Sequence, residues 1–195
     1  MTLIDITRPV QEAPIYPGSP PVVIERIFDM TRGDVYNASI ITAGSHMGTH
    51  ADAYTHFLAE STVSIDRMEL KHYYGPCHVL TVPENTLLTP EHLIAVADTK
   101  RLVIHGGGYS YLTEDAARYM AEKGIFTLVT DAWSVAPLDN EVAVHRILLG
   151  AGVAVVENVI LDHVVDDPYT LSAFPIKFVG CDGAPVRAVL IRQDD

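Results

Sequence analysis

The sequence predicts a mixed α/β fold that is richer in strands than in helices. Eight short runs are rich in branched and apolar residues, and several are bounded by Gly, Pro or Asp. Three segments carry helical start or stop signals, and two of them lead directly into an apolar run, which favours some parallel pairing of strands. The chain of 195 residues is long enough for one sizeable core. We therefore expect a single domain over residues 1–195.

The predicted strands are short apolar runs separated by turn-forming residues. The most proline-rich separator, residues 14–21, is typical of a rigid turn that enters the first run. In chain order the predicted strands cover residues 22–28, 38–43, 77–82, 102–105, 125–130, 153–156, 173–179 and 186–191.

The predicted helices are recognised by their ends. The first covers about residues 89–97, with a threonine N-cap followed by proline. The second begins at Thr113, has two acidic residues in its first turn, and ends at Gly124. The third covers about residues 140–149 and is followed by Gly150.

Composition excludes several classes of partner. A net charge of −12 argues against nucleic acids and anionic membrane surfaces, because both require a basic footprint. No stretch approaches the roughly 20 apolar residues of a membrane span, and the N-terminus lacks the basic and apolar regions of a signal peptide. We therefore expect a cytoplasmic protein. In that compartment Cys77 and Cys181 are expected to be reduced and buried, with a disulfide as the alternative.

The segment from residue 46 to residue 56 is the most informative part of the chain. His46, His50, Asp52 and His56 all occupy even positions, so an extended strand would place them on one face. Imidazoles with a carboxylate suit zinc, manganese or ferrous iron, and such a metal suits hydrolysis because it lowers the pKa of bound water to about 7. The alternative is a polar strand edge that carries histidines.

Local geometry decides how these side chains meet. A helix would also bring His46 and His50 to one face, but only an extended segment brings Asp52 and His56 to the same side. Gly48 suits a turn or a close backbone approach between the first two histidines. We therefore expect extended and turn structure here.

A second group of candidate ligands lies downstream. His145 falls on the third predicted helix, and Glu157 ends the apolar run that follows it. A buried acid in such a run is nearly always paired or metal-bound, whereas an exposed strand end is the alternative. The glycines at residues 106–108, next to His105, are weak evidence of phosphate binding, because they lack the lysine and spacing of a P-loop.

These segments together resemble the cyclase-type metal-dependent hydrolase family. Residues 46–56 match its signature His-x-Gly-Thr-His-x-Asp-x-Pro-x-His, except that Tyr54 replaces the proline. The resemblance extends over nearly the whole chain. The other matching segments are residues 5–9 and 16–20 at its opening, residues 130–135, His145 with Glu157 and Asn158, and residues 180–188 at its close.

The resemblance implies a fold and a metal centre. The fold would be a swivelling β/β/α domain with a mixed, curved or barrel-like sheet and a few flanking helices. The cofactor would be two divalent ions, zinc or manganese. His46, His50 and Asp52 would hold one ion, and Asp52 would bridge to a second held by His145, with Glu157 contributing to one or both.

The resemblance also implies an activity and an assembly. The expected reaction is hydrolysis of the C–N bond of a small aryl formamide, as in the kynurenine formamidases of tryptophan catabolism, with His56 as general acid and base. Hydrolysis of a cyclic amide such as isatin, or of a lactone, remains open. An inert metal-binding protein is the non-enzymatic alternative, although it would not need His56. The expected assembly is a homodimer or homotetramer.

Four aromatic residues are candidates for gripping the small-molecule substrate. Tyr16, Tyr54, Phe57 and Trp133 lie in or near the matching segments, and ordinary packing is the alternative for each. Tyr16 replaces a substrate-contacting tryptophan of the kynurenine formamidases. Neither Tyr16 nor Tyr54 replaces a metal ligand of the family. Both differences therefore bear on the choice of substrate rather than on hydrolysis.

Overall fold

The computed structural model describes residues 1–193 of the chain. The strands of this part are β1 Thr2–Asp5, β2 Val23–Phe28, β3 Ala38–Thr42, β4 His50–Asp52, β5 Tyr74–Thr81, β6 Leu87–Leu88, β7 Arg101–His105, β8 Tyr111–Leu112, β9 Thr127–Thr130, β10 Ala154–Glu157, β11 Pro168–Ser172, β12 Gly183–Pro185 and β13 Val189–Arg192. The α-helices are α1 Pro90–Leu93, α2 Glu114–Lys123 and α3 Glu141–Gly150. Single 3-10 turns lie at Met30–Arg32, Tyr54–His56, Ile65–Arg67, Leu70–His72 and Ile94–Val96.

Nine of these strands form one mixed sheet. Their order is β1-β13-β11-β5-β7-β9-β10-β4-β12, and the central strands β5, β7, β9 and β10 are mutually parallel. Antiparallel strands extend the sheet on both sides. The curled mixed sheet with few helices confirms the predicted fold class.

The sheet separates two hydrophobic cores. Along β7, Leu102 and Ile104 pack with the helices, whereas Val103 belongs to the core on the opposite face. Alternate side chains of a strand point to opposite faces, so central strands covered on both sides are apolar throughout. This explains why β7, β9 and β10 appear in the sequence as largely apolar runs, whereas the buried and exposed residues of β5 alternate.

Strands β2 and β3 form a separate hairpin that stands outside the main sheet. All six residues of β2 are exposed, and β3 carries exposed Ile40 and Ile41. An isolated two-stranded hairpin is only marginally stable in water, and this one has little apolar cover from the rest of the chain.

The predicted helices are confirmed, and the best-defined one agrees at both ends. Thr113 accepts a hydrogen bond from the amide of Ala116 as the N-cap of α2, and Gly124 ends the helix in the left-handed conformation. The first predicted helix continues beyond α1 as the 3-10 turn Ile94–Val96.

Two strand predictions are wrong near the C-terminus. Residues 173–179 form no ladder, only an isolated bridge from Pro175 to Val186. The strand lies earlier, at β11, because alternate residues Tyr169 and Leu171 are buried there while Phe174 is partly exposed. The predicted strand 186–191 is replaced by β12 and β13, with a break between them.

Cys77 and Cys181 are not bonded to each other, and Cys77 is buried while Cys181 is half-buried. Burial raises the pKa of the Cys77 thiol to about 12. No helix within residues 1–193 has the length and apolar character needed to cross a membrane.

Candidate metal centre

The candidate centre lies between the sheet and helix α3. Strand β4 pairs antiparallel with β10, so Glu157 lies directly opposite His50. Residues opposite each other in such a pair project to the same face. Helix α3 packs near β10 and supplies His145, whose side chain is buried.

The segment from residue 46 to residue 56 combines turn and extended structure, as expected, but its extended part ends at Asp52. His50 and Asp52 lie on β4, but His46 precedes it in a turn and His56 lies in the 3-10 turn Tyr54–His56. The four side chains nevertheless converge. The turn before β4 brings in His46, as Gly48 suggested, whereas His56 is brought in by the 3-10 turn and not by strand alternation.

Two glycines permit this convergence. Gly48 has a φ of +64°, and a Cβ there would lie 2.7 Å from the side chain of Val10. Gly183 lies on β12 opposite Asp52 of β4, and a Cβ on Gly183 would lie 2.6 Å from Cε1 of His46. Any larger residue at 183 would therefore displace the His46 ring.

Four buried side chains form what we call the inner group. Its members are His50, Asp52, His145 and Glu157, each 5% exposed or less. Glu157 lies between the two imidazoles, with Oε2 3.3 Å from Nε2 of His50 and Oε1 3.3 Å from Nε2 of His145. Asp52 lies beside the same nitrogens, with Oδ2 3.4 Å from His145 and Oδ1 3.6 Å from His50.

Backbone carbonyls fix both inner imidazoles. Nδ1 of His50 donates to the carbonyl of Gly48 at 3.0 Å, and Nδ1 of His145 donates to the carbonyl of Glu141 at 2.8 Å. Because a carbonyl oxygen only accepts, Nδ1 carries the proton in each ring and Nε2 faces the carboxylates. Metal-bound histidines typically have this arrangement.

The inner group fits a divalent cation. Oδ2 of Asp52 and Nε2 of His145 are buried and, although 3.4 Å apart, make no well-aligned hydrogen bond. Leaving buried polar atoms unpartnered is unfavourable. Two carboxylates and two imidazole nitrogens around one space are a donor set that zinc or manganese accepts.

Three further side chains form what we call the outer group, namely His46, His56 and Asp182. The rings of His46 and His56 stack with centroids 3.9 Å apart. Oδ2 of Asp182 lies 3.1 Å from Nε2 of His46 and 3.6 Å from Nδ1 of His56. The other nitrogen of His46 lies 2.9 Å from Oδ1 of Asp52, which connects the two groups.

The candidate ligand atoms are grouped differently from the expectation that His46, His50 and Asp52 hold one ion. Two triads have ligand atoms within 4.8 Å of one another, and both include Asp52. One adds His50 and Glu157, whereas the other adds His46 and His56. His50 thus lies with the downstream acid rather than with His46. His56 lies close enough to a candidate ligand set to be tested as a ligand itself.

In the metal-free protein, protons balance the carboxylates. Burial would lower the pKa of His46, but Asp182 and Asp52 outweigh it and raise the pKa to about 10. Burial is likewise outweighed at His145, where Asp52 and Glu157 raise the pKa to about 10. Burial would raise the pKa of Asp52, yet His145 and His46 hold it well below its usual range. A metal ion would therefore displace protons when it binds.

His56 has the opposite electrostatic behaviour. Burial lowers its pKa below the ordinary value, although the carboxylates of Asp52 and Asp182 oppose the change. Its ring is therefore neutral near pH 7, which leaves one nitrogen able to accept a proton.

A pocket of about 260 Å³ opens onto the centre. Its lining includes three of the predicted aromatic residues, Tyr16, Phe57 and Trp133. Tyr16 and Trp133 pack with centroids 5.5 Å apart, and Phe57 stacks on His145 at 4.3 Å. These contacts form an apolar wall beside the buried ligands.

Tyr54 does not line this pocket, which corrects the expectation that its phenol contacts substrate. Its hydroxyl donates to the carbonyl of Gly152 at 3.0 Å and lies 3.4 Å from Nε2 of His72. The ring packs against both hydrophobic cores. The 3-10 turn directs Tyr54 inward because its apolar ring has cover there.

Sequence reasoning missed Asp182 and Glu141. Asp182 comes directly before β12, and its closeness to His46 depends on the pairing of β12 with β4. Glu141 is buried at the start of α3 and accepts a hydrogen bond from the hydroxyl of Tyr16 at 2.5 Å. An acid in the first turn of a helix usually serves the helix itself, so no local signal distinguished it.

Comparisons with known proteins show which family the chain resembles. Residues 4–137 match the family model described as putative cyclase. The chain is 33% identical to the kynurenine formamidase of Bacillus mycoides strain KBAB4 over 201 residues, which cover 96% of each protein.

Solved structures are similar over the same length. A predicted metal-dependent hydrolase from Bacillus stearothermophilus has a TM-score of 0.81 and 28% identity, and the match covers 97% of each chain. Isatin hydrolase A from Labrenzia aggregata, bound to benzyl benzoate, has a TM-score of 0.85 over 98% of this chain and 94% of that one. At 19% identity, the latter match shows a shared fold.

Proposed function

The chain belongs to the putative cyclase family, and from that premise we propose that it is a metal-dependent hydrolase of a small aryl formamide. The observation that carries the proposal is the inner group, in which two backbone-anchored imidazoles face two buried carboxylates. The 33% identity with a kynurenine formamidase supports a formamide as the substrate. The pocket of about 260 Å³ has room for one substituted ring.

The proposed ligands are the five predicted from the sequence. His50, His145 and Glu157 would surround one divalent ion, His46 would contact a second, and Asp52 would serve both. Zinc or manganese bound there would supply Lewis-acid activation of water and of the scissile carbonyl. The carboxylates would offset the repulsion between two neighbouring dications.

His56 is proposed as the general acid and base. It lines the pocket, and its lowered pKa keeps the ring neutral so that it can take a proton and pass it to the leaving nitrogen. Asp182 lies 3.6 Å from Nδ1 of His56 and would hold the ring with Nε2 free for this transfer. Asp182 is thus a positioning residue.

Tyr16, Phe57 and Trp133 are proposed to hold the aryl group. Tyr16 is fixed by its hydrogen bond to Glu141, and its ring packs against Trp133. Offset aromatic contacts of this kind favour a planar ring. The substrate would therefore lie with its ring against this wall and its formamide toward the buried ligands.

A substrate panel tests the proposal. The zinc- or manganese-loaded protein would be assayed with N-formylkynurenine, isatin and an aryl lactone, and chelated protein would serve as the control. We expect the formamide to have the highest kcat/KM and the chelated protein to be inactive. Faster hydrolysis of isatin or the lactone would contradict the proposed substrate. Inactivity on all three would favour an inert metal-binding protein.

We also propose that the protein is a homodimer or homotetramer of a single-domain chain. The exposed apolar residues of hairpin β2–β3 support this, because such patches on monomers are usually small. Ile41→Lys should lower the mass measured by light scattering, whereas the control Glu25→Lys on the same hairpin should leave it unchanged. A monomeric wild-type protein would contradict the proposed assembly.

A further inference from the structure

A second and larger cavity adjoins the metal pocket. It has a volume of about 700 Å³ and shares Pro14, Trp133 and Asn158 with the pocket described above. Neither the proposed ligands that face the pocket nor His56 line this second cavity. The reaction at the metal centre therefore leaves its polar groups without a role.

Arg8 lines this cavity, and its guanidinium group has hydrogen-bond donors that are not all used. Its Nη2 donates to the carbonyl of Val159 at 3.3 Å, but its Nε is buried and has no hydrogen-bond partner. Within residues 1–193, no carboxylate lies within 4.0 Å of its guanidinium. A buried N–H of a charged group is costly to leave unpaired, and guanidinium groups pair especially well with carboxylates.

Thr49 fixes Arg8 and Asn158 on the same side of the cavity. Its Oγ1 accepts a hydrogen bond from the amide of Arg8 at 2.7 Å and donates to the carbonyl of Asn158 at 2.7 Å. Asn158 has a φ of +63°, an unusual backbone conformation that tends to occur at functional sites. It is only 4% exposed. Its side-chain amide makes no hydrogen bond to the described residues, and it lies where the two cavities meet.

Tyr111 adds a third unused group. Its hydroxyl accepts a hydrogen bond from Nε1 of Trp133 at 2.9 Å, so its own proton remains available to a ligand. Arg8, Asn158 and Tyr111 thus offer donors from three different segments. Donors that line one cavity are suited to binding a carboxylate.

Other charges in the cavity restrict the ligand. Asp131 is buried, and both of its oxygens accept the amide of Gly106, so the glycine segment serves this carboxylate rather than a phosphate. Asp162 is an exposed acid on the rim. Two acids beside one arginine disfavour a highly charged phosphate and suit a single carboxylate that has an ammonium group nearby.

We propose that this cavity is a second substrate compartment in which Arg8 pairs with a carboxylate remote from the scissile bond. The proposal rests on the proposed function, because it assigns the charged tail of the same aryl formamide. Arg8 would determine specificity for that tail and would take no part in bond cleavage.

Three substrates with one reactive group test this pairing. The first is ortho-formamidoacetophenone, which is neutral. The second is N-formylkynurenine that lacks its amino group and therefore adds only a carboxylate. The third is N-formylkynurenine itself. In the wild-type enzyme we expect both carboxylates to have a lower KM than the neutral compound. Arg8→Gln should reduce the ratio of their kcat/KM to that of the neutral compound about 10- to 100-fold, the usual effect of losing a charged hydrogen bond.

Two controls separate binding from folding. Arg187→Gln removes the same charge from an exposed pair with Asp5, outside the cavity, and should leave the ratio unchanged. Arg8→Lys keeps the charge without the planar fork and should give an intermediate ratio. An unchanged ratio in Arg8→Gln would overturn the inference while leaving formamide hydrolysis intact.

If no formamide is hydrolysed, a binding measurement tests whether Arg8 pairs with a carboxylate. Calorimetry would compare L-kynurenine with ortho-aminoacetophenone on the metal-loaded wild-type protein and on Arg8→Gln. Tighter binding of L-kynurenine that depends on Arg8 would support the compartment even where the proposed activity fails. Equal affinity of the two compounds for the wild-type protein would overturn it.

Discussion

The inner and outer groups of the metal centre hold their histidines in different ways. In the inner group, backbone carbonyls anchor Nδ1 of His50 and His145, and both side chains are about 3% exposed. In the outer group, His46 and His56 stack on each other, contact acidic side chains, and are 23% and 27% exposed.

This difference indicates a division of labour. A backbone carbonyl fixes an imidazole more firmly than a side chain does, because the carbonyl moves only with its strand or helix. Fixed and buried nitrogens suit metal ligands. The half-exposed ring of His56 lines the pocket and suits proton transfer, since it can reach both substrate and solvent. His46 joins the two groups through Asp52.

Removing the charge of Glu157 should have the largest effect on metal content. Glu157→Gln takes away the carboxylate that contacts both inner imidazoles, so metal content should fall and kcat/KM should drop by about 10³-fold or more. Elemental analysis and steady-state kinetics would check this. Glu114→Gln, on an exposed helical ion pair, is the matched control. Unchanged metal content in Glu157→Gln would contradict the proposal that the inner group binds the metal.

Removing the acid of the outer group should have a smaller effect. Asp182→Ala leaves the His56 ring without its carboxylate, so kcat should fall about 10-fold with a smaller change in KM. Asp182→Asn keeps a hydrogen-bond acceptor and should recover part of the loss. If the two variants lose equal activity together with their metal, Asp182 supports the ligands rather than His56.

The smallest expected effect is a dependence of metal stabilisation on pH. His46 and His145 have a pKa of about 10 in the metal-free fold, above their ordinary value of 6.5. The stability that this raised pKa contributes is complete below pH 6.5 and is lost as pH rises toward 10. Metal binding becomes stronger over the same range because fewer protons compete.

The Tm difference between metal-loaded and metal-free protein should therefore grow as pH rises from about 6.5 to 9. Thermal melts of both forms at several pH values would measure it. Glu157→Gln, treated in the same way, should show little metal-dependent difference at any pH. If the Tm difference shrank with rising pH, protons on His46 and His145 would not be what competes with the metal ion.

Local signals predicted the parts of the structure that depend on local chemistry. The cap at Thr113 and the end at Gly124 follow from backbone geometry within one helix. The cluster from residue 46 to residue 56 was visible because its members lie close in sequence. Strand β11 was missed because it is defined by pairing with β5 and β13, which lie far away along the chain.

The site residues that sequence patterns missed also depend on contacts between distant segments. Asp182 reaches His46 only because β12 pairs with β4, and no spacing rule connects residues 46 and 182. Tyr54 was expected in the pocket because its sequence neighbours are there. The direction of its side chain follows from a 3-10 turn and from space in the core, which sequence patterns do not specify.

The metal content of His56→Ala tests the division between the groups most directly. His56 stands within ligand distance of His46 and Asp52, so geometry permits it as a ligand, whereas we propose that it transfers protons. Elemental analysis of His56→Ala should find as much metal per chain as in the wild-type protein, with kcat lowered about 10²- to 10⁴-fold. Loss of metal from this variant, or full turnover, would contradict the account.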